Sequence, residues 1–136
     1  MEFYSLEHDE KNFNRKAIIF IHGANHGAWC WNMHFMKFFY LKGFDVYSLN
    51  LYNRGMSSYI EKICLDDFVK QVEEFIKNIN KKILIISHSV GTAIVQKCII
   101  ERNIKCAKCV LIAPVAPWGM RYDLIFSPRI RTGRLR

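Results

Sequence analysis

The sequence has 136 residues, of which 51% are hydrophobic and 24% charged, and its formal net charge is +8. This length and hydrophobic share are sufficient for one domain with its own core, and they argue against a largely disordered chain. No apolar run reaches the roughly 18 residues that a membrane-spanning helix needs, and the acidic first residues lack the basic start and apolar stretch of a secretory signal peptide.

The cysteines bear on the cellular compartment. Their number is odd and their spacing is irregular, which is typical of free thiols in a reducing environment rather than of a disulfide framework. With no signal peptide expected, the sequence predicts a cytoplasmic protein. The cysteines are Cys30, Cys64, Cys98, Cys106 and Cys109.

The predicted elements alternate between strand and helix along the chain. Four segments predict strands; they are residues 16–21, 44–49, 82–86 and 108–113. The first is a continuous apolar, β-branched run, which is typical of a strand buried on both faces, as in a parallel sheet. Helical spacing of apolar residues predicts helices between these strands; they are residues 31–42, a segment from Asp66 or Asp67 to Ile79, and residues 92–102. This order predicts an α/β fold, a mostly parallel sheet with right-handed crossover helices.

Two unusual loops, residues 22–29 and 87–91, follow the first and third predicted strands. In open parallel sheets, ligands bind at the carboxyl ends of the strands, where these loops lie. The sequence therefore predicts a functional site at this end of the sheet.

The loop Ser87-His88-Ser89-Val90-Gly91 joins a predicted strand to a predicted helix. A very tight turn of this kind pushes its central serine above the sheet, and small residues two positions before and after let strand and helix pass closely. Gly91 meets this need, and Ser87 stands where glycine is usual. The turn also places Ser89 at a helix N-terminus, which favours developing negative charge. Ser89 is therefore the candidate nucleophile.

The loop from His22 to Trp29 contains Gly23 and Gly27, which let the backbone turn toward a substrate. An oxyanion hole needs two backbone N–H groups. We expect one from Val90, the residue after the nucleophile, and the second from Ala24.

Three segments together resemble the α/β-hydrolase fold superfamily, most closely its esterase, lipase and carbon–carbon hydrolase branch. They are His22-Gly23-Ala24 with Gly27 and Trp29, the loop from Asn50 to Ser58, and Ser87-His88-Ser89-Val90-Gly91. The resemblance covers residues 14–118. It implies a serine nucleophile at Ser89, an oxyanion hole from Ala24 and Val90 and, in the completed fold, a small-molecule ester or acyl substrate. The residues expected to support these motifs are His22, Gly23, Ser87, His88 and Gly91. The resemblance also implies no metal and no organic cofactor.

One departure from that superfamily is severe, because its order is serine, then acid, then histidine. No histidine follows Ser89; the five are His8, His22, His26, His34 and His88. The one acid in a suitable later position is Asp123. The sequence therefore predicts an N-terminal portion of the fold, truncated after the strand at 108–113. Loss of the triad histidine lowers turnover by about a million-fold, so we expect a catalytically near-silent chain.

The last 16 residues carry five arginines and no lysine, whereas lysine predominates before them. We expect residues 1–120 to form the truncated domain and residues 121–136 an unstructured tail. A basic tail can bind nucleic acid or an anionic membrane surface, but no aromatic or base-reading motif accompanies this one, so nucleic acid is not the expected partner.

Three alternatives for function stay open, of which binding to nucleic acid or a membrane surface through the Arg-rich tail is one. The missing acid and histidine could come from a second polypeptide or from sequence lost through a frame change. The chain could instead be a non-catalytic remnant that binds an apolar ligand or a partner protein. In the isolated chain, the strand at 108–113 is left as an apolar edge, which predicts self-association.

Overall fold

A computed structural model of the protein describes residues 1–9 and 15–118. The predicted Arg-rich tail, with Asp123, lies outside the described residues. The elements in chain order are β1 (Phe3–Leu6), β2 (Lys16–Ile21), α1 (Trp29–Asn32), α2 (Phe35–Leu41), β3 (Asp45–Leu49), α3 (Leu65–Lys77), β4 (Lys82–His88), α4 (Val90–Glu101) and β5 (Lys108–Ile112).

These strands form one five-stranded sheet in the order β1-β3-β2-β4-β5. The four strands β2 to β5 are parallel, and β1 is antiparallel to β3. The central strand β2 pairs with β3 on one side and β4 on the other, which explains its continuous apolar run. The predicted α/β class and mostly parallel sheet are confirmed.

The helices cover both faces of this sheet. Alternate residues of β2 point to opposite faces, so Ile19 and Ile21 pack in a core with α3 and α4. Ile18 and Phe20 pack on the other face with Trp31 of α1 and Met36 of α2. Each connection between parallel strands therefore buries its helix against the sheet.

Strand β1 was not predicted from the sequence. It is short, its residues are largely exposed, and it lacks the apolar run that identified the other strands. Its pairing with β3 runs from Phe3 opposite Leu49 to Leu6 opposite Val46. The sheet is therefore mixed, and β1 covers the edge that β3 would otherwise expose.

The single helix predicted over residues 31–42 is wrong, because the structure has two short helices there. His34 interrupts the helix, with φ −138° and ψ −48°. Trp31 and Met36 are both buried against the same face of the sheet, yet residues five apart lie about 140° apart on one helix. The interruption lets both side chains reach the core.

The predicted caps and boundaries need smaller corrections. Helix α3 begins after Cys64, and neither aspartate is its N-cap residue. Asp67 instead accepts a hydrogen bond from the Cys64 N–H at 2.9 Å, as the third residue of a capping box does. Helix α4 begins at Val90, two residues earlier than predicted, because Ser89 already makes the turn.

Candidate active site

Ser89 joins β4 to α4 in a backbone conformation that residues with a side chain rarely adopt. Its φ is 52° and its ψ is −126°. Such a conformation costs on the order of 1–3 kcal/mol and persists only where surrounding contacts enforce it. Here the Ser89 N–H donates to the Ile112 carbonyl at 3.0 Å. Its carbonyl accepts from the Thr92 N–H at 2.8 Å and the Thr92 Oγ1 at 2.6 Å.

Gly91 lies where the first turn of α4 passes the end of β2. A Cβ at this position would be 2.6 Å from the His22 carbonyl oxygen and 2.9 Å from that of Ile21. Both obstacles are backbone atoms, which cannot swing aside. The need for a small residue two positions after the serine thus has a direct steric cause.

Ser87, two positions before Ser89, is fully buried in the sheet between Ile21 and Leu111. Its Oγ has no hydrogen-bond partner among the described residues. A hydroxyl at the position where glycine is usual is therefore accommodated sterically but is not satisfied by a hydrogen bond.

The loop after β2, residues 22–28, packs directly against this serine; we call it the first loop. A Cβ at Gly23 would lie 3.1 Å from the Ser89 Cβ and 2.9 Å from the His88 Nδ1. The predicted site segments are therefore brought together: the Gly23 backbone lies at the serine, and Ala24 follows it. Ala24 and Val90 both line a cavity of about 130 Å³ beside the serine turn.

His22 is buried and uses both ring nitrogens to hold the first loop. Nδ1 lies 2.8 Å from the Gly23 carbonyl oxygen, and Nε2 accepts from the Leu51 N–H at 3.0 Å. A carbonyl can only accept and an amide can only donate, so these contacts assign the proton to Nδ1 of a neutral ring. Burial lowers the pKa of His22, which favours this neutral ring.

Two further contacts tie the first loop to residues 50–58, which we call the second loop. Asn50 Oδ1 accepts from the Ala28 N–H at 2.6 Å. The Arg54 guanidinium donates to the Ala24 carbonyl from Nε at 3.0 Å and Nη2 at 2.6 Å, and to the Asn53 carbonyl from Nη1 at 2.8 Å. Arg54 thereby fixes the peptide that follows the Ala24 amide.

The second loop is itself held by a buried polar side chain of α3. Gln71 is fully buried; its Nε2 donates to the Asn50 carbonyl at 3.0 Å and its Oε1 accepts from the Tyr52 N–H at 2.9 Å. At the outer side, Glu2 accepts from Asn50 Nδ2 and the Met56 N–H, each at 2.6 Å. The second loop is therefore anchored to α3 and to the N-terminal segment.

Sequence reasoning missed the roles of Asn50, Arg54, Gln71 and Glu2. A weak signal was present for one of them, because Gln71 is an uncharged polar residue next to Val72 and two positions after Val69, both apolar positions of the predicted helix. The others make contacts across long sequence separations, which no local pattern reports.

No histidine within residues 1–9 and 15–118 hydrogen-bonds to the Ser89 side chain. His88 points toward Gly23, and its ring packs edge-on against that of His26 at 5.6 Å between centroids. Both nitrogens of His22 are already engaged. The described residues thus provide a serine on a constrained turn and nearby amides, without a base positioned on the serine.

Two other kinds of site are not found in this part of the chain. Across the described ranges, no group of three His, Cys, Asp or Glu side chains could hold a metal ion. Over the same residues, no helix is both long and apolar enough to cross a membrane.

The sequence is similar to those of known hydrolases. The sequence profile of the Alpha/beta hydrolase family matches residues 18–136. Methylesterase 7 of Arabidopsis thaliana is 32% identical over 87 residues, which cover 60% of this chain and 33% of that protein.

Solved structures give the same fold. A marine microorganism esterase has a TM-score of 0.73 at 23% identity, covering 96% of this chain and 46% of that one. An alpha/beta hydrolase fold protein from Burkholderia ambifaria has a TM-score of 0.74 at 16% identity, covering 95% of this chain and 44% of that one. The chain thus spans a third to a half of the length of these relatives. With a family profile that matches most of its sequence, this chain belongs to the alpha/beta hydrolase family.

Proposed function

We propose that this chain supplies the nucleophile and the oxyanion hole of a serine hydrolase that acts on carboxylic esters or related acyl bonds. The observation that carries the proposal is the backbone of Ser89, held at positive φ between a parallel strand and a helix, with the first loop packed against its side chain. The similarity to Methylesterase 7 and to a marine esterase supports esters as the substrate class.

In the proposed reaction, the Ser89 Oγ attacks the carbonyl carbon of the ester and the carbonyl electrons move to oxygen. The N–H groups of Ala24 and Val90 donate to that oxyanion. The serine proton passes to a histidine base, which returns it to the departing alkoxide as the carbon–oxygen bond breaks. Water, activated by the same base, then hydrolyses the acyl-enzyme.

The ties between the two loops support the assignment of Ala24. Oxyanion-hole donors act by being fixed before the reaction, and loss of one such donor lowers kcat by about 100- to 1,000-fold. His22 and Asn50 hold the first loop at its two ends. The Ala24 N–H shares a planar peptide group with the Gly23 carbonyl, which accepts hydrogen bonds from His22 Nδ1 and the His26 N–H. Arg54 holds the next peptide group, through the Ala24 carbonyl.

The histidine base and its acid partner are proposed to come from sequence outside this chain. The chain spans only 33% of Methylesterase 7 and 46% of the marine esterase. Without the histidine, an oxyanion hole and substrate binding leave roughly 10³–10⁴-fold acceleration over water. We therefore propose that the chain alone is nearly inactive.

The test is to complete the fold by adding the C-terminal half of a related esterase, as a fusion or as a second polypeptide. Hydrolysis of p-nitrophenyl butyrate should then appear, and Ser89→Ala should abolish it. Ser58→Ala, at an exposed serine of the second loop, is the matched control and should leave hydrolysis unchanged. Activity that survives Ser89→Ala but is lost with another serine would contradict the proposal.

A second candidate function is non-catalytic binding of a partner polypeptide along β5. It is supported by Val110 and Ile112, which are 50% and 42% exposed on that strand. In the experiment above, a C-terminal half that binds without Ser89-dependent hydrolysis would favour this function. Nucleic-acid or membrane-surface binding by residues 121–136 concerns residues outside the described part of the chain and stays an untested alternative.

A cytoplasmic location is proposed with this function. It is supported by the cysteines, all five of which are free thiols in the structure. Labelling with a membrane-impermeant thiol reagent on intact cells should leave them unmodified.

A further inference from the structure

Glu2 lies just before β1, far along the chain from the serine turn, yet both its backbone and its side chain bind the second loop. Its N–H donates to Ser57 Oγ at 3.1 Å, and its carbonyl accepts from the Asn50 N–H at 3.0 Å. Its carboxylate oxygen Oε2 accepts from Asn50 Nδ2 and from the Met56 N–H, each at 2.6 Å. The carboxylate is therefore held in one place, directly against the side chain of Asn50.

The side-chain amide of Asn50 is buried and has one orientation that satisfies both of its ends. Its Oδ1 accepts from the Ala28 N–H at 2.6 Å, and its Nδ2 donates to Glu2. A carboxylate only accepts hydrogen bonds and a backbone N–H only donates them. A half turn of the amide would place oxygen against oxygen at Glu2 and nitrogen against nitrogen at Ala28. Glu2 therefore selects the orientation in which Asn50 presents its oxygen to the first loop.

The constraint at Ala28 continues along the first loop toward the proposed oxyanion hole. Ala28 is fully buried and ends this loop. Two residues earlier, the His26 N–H donates to the Gly23 carbonyl at 3.3 Å. That carbonyl shares a planar peptide group with the Ala24 N–H. A short stretch of backbone thus links the Asn50 side chain to the direction of the Ala24 N–H.

We propose that Glu2 is a positioning residue of the active site. It fixes the orientation of the Asn50 side chain and thereby holds the first loop in the form that offers the Ala24 N–H to the oxyanion. The inference rests on the proposed function, because it takes Ala24 as an oxyanion donor. Glu2 itself does not contact the substrate and acts only through Asn50.

The first test follows hydrogen exchange of the Ala28 amide in the full chain, by mass spectrometry of overlapping peptides. Glu2→Ala leaves the Asn50 side chain free to turn, so this amide should exchange about tenfold faster, in line with the loss of a charge-assisted hydrogen bond. Glu2→Gln keeps an oxygen that can accept from Asn50 and should restore most of the protection. Peptides from β2 and β4 should exchange as in the wild type, which separates this local effect from unfolding.

Glu7→Ala is the matched control, because it removes the same group from the same N-terminal segment. The Glu7 carboxylate contacts Lys81 at 3.1 Å and makes no hydrogen bond to Asn50 in the described part of the chain. Exchange at Ala28 should therefore stay as in the wild type. If Glu7→Ala and Glu2→Ala speed this exchange equally, Glu2 merely holds β1 on the sheet and the proposal is overturned.

A second pair of variants tests the orientation of the amide itself. Asn50→Asp places a carboxylate opposite that of Glu2, and the two repel each other, so exchange at Ala28 should speed up. Adding Glu2→Gln to this variant supplies an N–H that can donate to the new carboxylate. The double variant should therefore protect Ala28 better than Asn50→Asp alone. Absence of this rescue would count against the assigned role of Glu2.

The last test uses the enzyme completed by a C-terminal half. Glu2→Ala should lower kcat for p-nitrophenyl butyrate by about 10- to 100-fold, up to the loss caused by removing one oxyanion donor, with little change in KM. Glu2→Gln should restore most of the rate. An unchanged kcat in Glu2→Ala would overturn the positioning role. If exchange at Ala28 responds as expected but no Ser89-dependent hydrolysis appears, the proposed function is refuted while the coupling of Glu2 to the first loop is confirmed.

Discussion

His22 shows how one buried residue can couple the geometry of the site to pH. Its neutral ring joins Gly23 to Leu51 across the two loops. Burial, opposed by the Gly23 hydrogen bond and assisted by the nearby Arg54 cation, lowers the pKa of His22 from its ordinary value of 6.5. The unfolded chain therefore takes up a proton at this ring near pH 6.5, whereas the folded chain does so only at a lower pH.

This difference fixes the sign of the pH dependence. The contribution of His22 to stability is complete above pH 6.5 and is lost as pH falls from there toward the lowered pKa, by at most about 1.4 kcal/mol per pH unit. We predict that His22→Asn, which keeps a donor near Nδ1 but leaves the Leu51 amide unpaired, costs about 1–3 kcal/mol at pH 7.5. The cost should shrink at pH 5.5.

Urea unfolding at both pH values, at low protein concentration, measures this effect. His34→Asn, at an exposed histidine, is the control and should shift stability little at either pH. A destabilisation by His22→Asn that grows on acidification would contradict the assigned protonation state.

Gly91 gives a second prediction at the residue scale. Gly91→Ala places a methyl group 2.6 Å from the His22 carbonyl oxygen, so α4 must move away from β2. We expect a loss of about 3 kcal/mol, at the upper end for overpacking, since backbone is displaced. Gly43→Ala is the comparison: it has open space around it but φ of +88°, so it should cost roughly 1–2 kcal/mol from backbone strain alone. Equal losses in thermal or urea unfolding would argue against the steric account.

At the scale of the elements, the sequence predicted every parallel strand to within two residues at either end. The apolar run of β2 reflects its burial on both faces. The run of β5 identified that strand equally well, although none of its side chains is fully buried. The site segments around Gly23 and Ser89 could also be located. Each segment comes directly after a predicted strand, and the carboxyl ends of parallel strands meet at one end of the sheet.

What could not be predicted depends on distant contacts. Strand β1 is fixed by pairing with β3 and by the carboxylate of Glu2. This carboxylate accepts hydrogen bonds from Asn50 and Met56, which lie 48 and 54 positions further along the chain. The break between α1 and α2 has no glycine or proline to mark it and is set by packing of Trp31 and Met36. The bracing of the first loop by Asn50 and Arg54 likewise exists only once the strands are placed side by side.

At the scale of the whole molecule, the two edges of the sheet differ. Strand β1 covers the β3 edge. The Lys81 Nζ forms ion pairs with Glu7, which follows β1, and with the buried Asp45 of β3, each at 3.1 Å. At the opposite end, β5 pairs with β4 alone among the described strands. Val110 and Ile112 are half-exposed on the face where α1 and α2 lie, and those helices contact β3 instead.

We predict that the isolated chain assembles through β5. A continuous apolar edge with free N–H and C=O groups is a template for another strand, and natural edges are usually blunted by charge, proline or a bulge. In β5 the only charged residue is Lys108 at its start, and Pro114 comes after its end, so neither interrupts the apolar residues between them. Size-exclusion chromatography with light scattering should therefore show species larger than the 16.1 kDa monomer.

A charge placed on this edge tests the mechanism of assembly. Val110→Lys should shift the chain toward monomer, because pairing two such edges would bring lysines together and desolvate them. Ile100→Lys, at a 70% exposed position on α4, adds the same charge away from the edge and should leave the assembly intact. Near-ultraviolet circular dichroism confirms that both variants keep packed aromatic side chains. A wild-type chain that is monomeric with a sharp cooperative melt would contradict the prediction. If Val110→Lys and Ile100→Lys dissociate the assembly equally, then assembly depends on net charge rather than on β5.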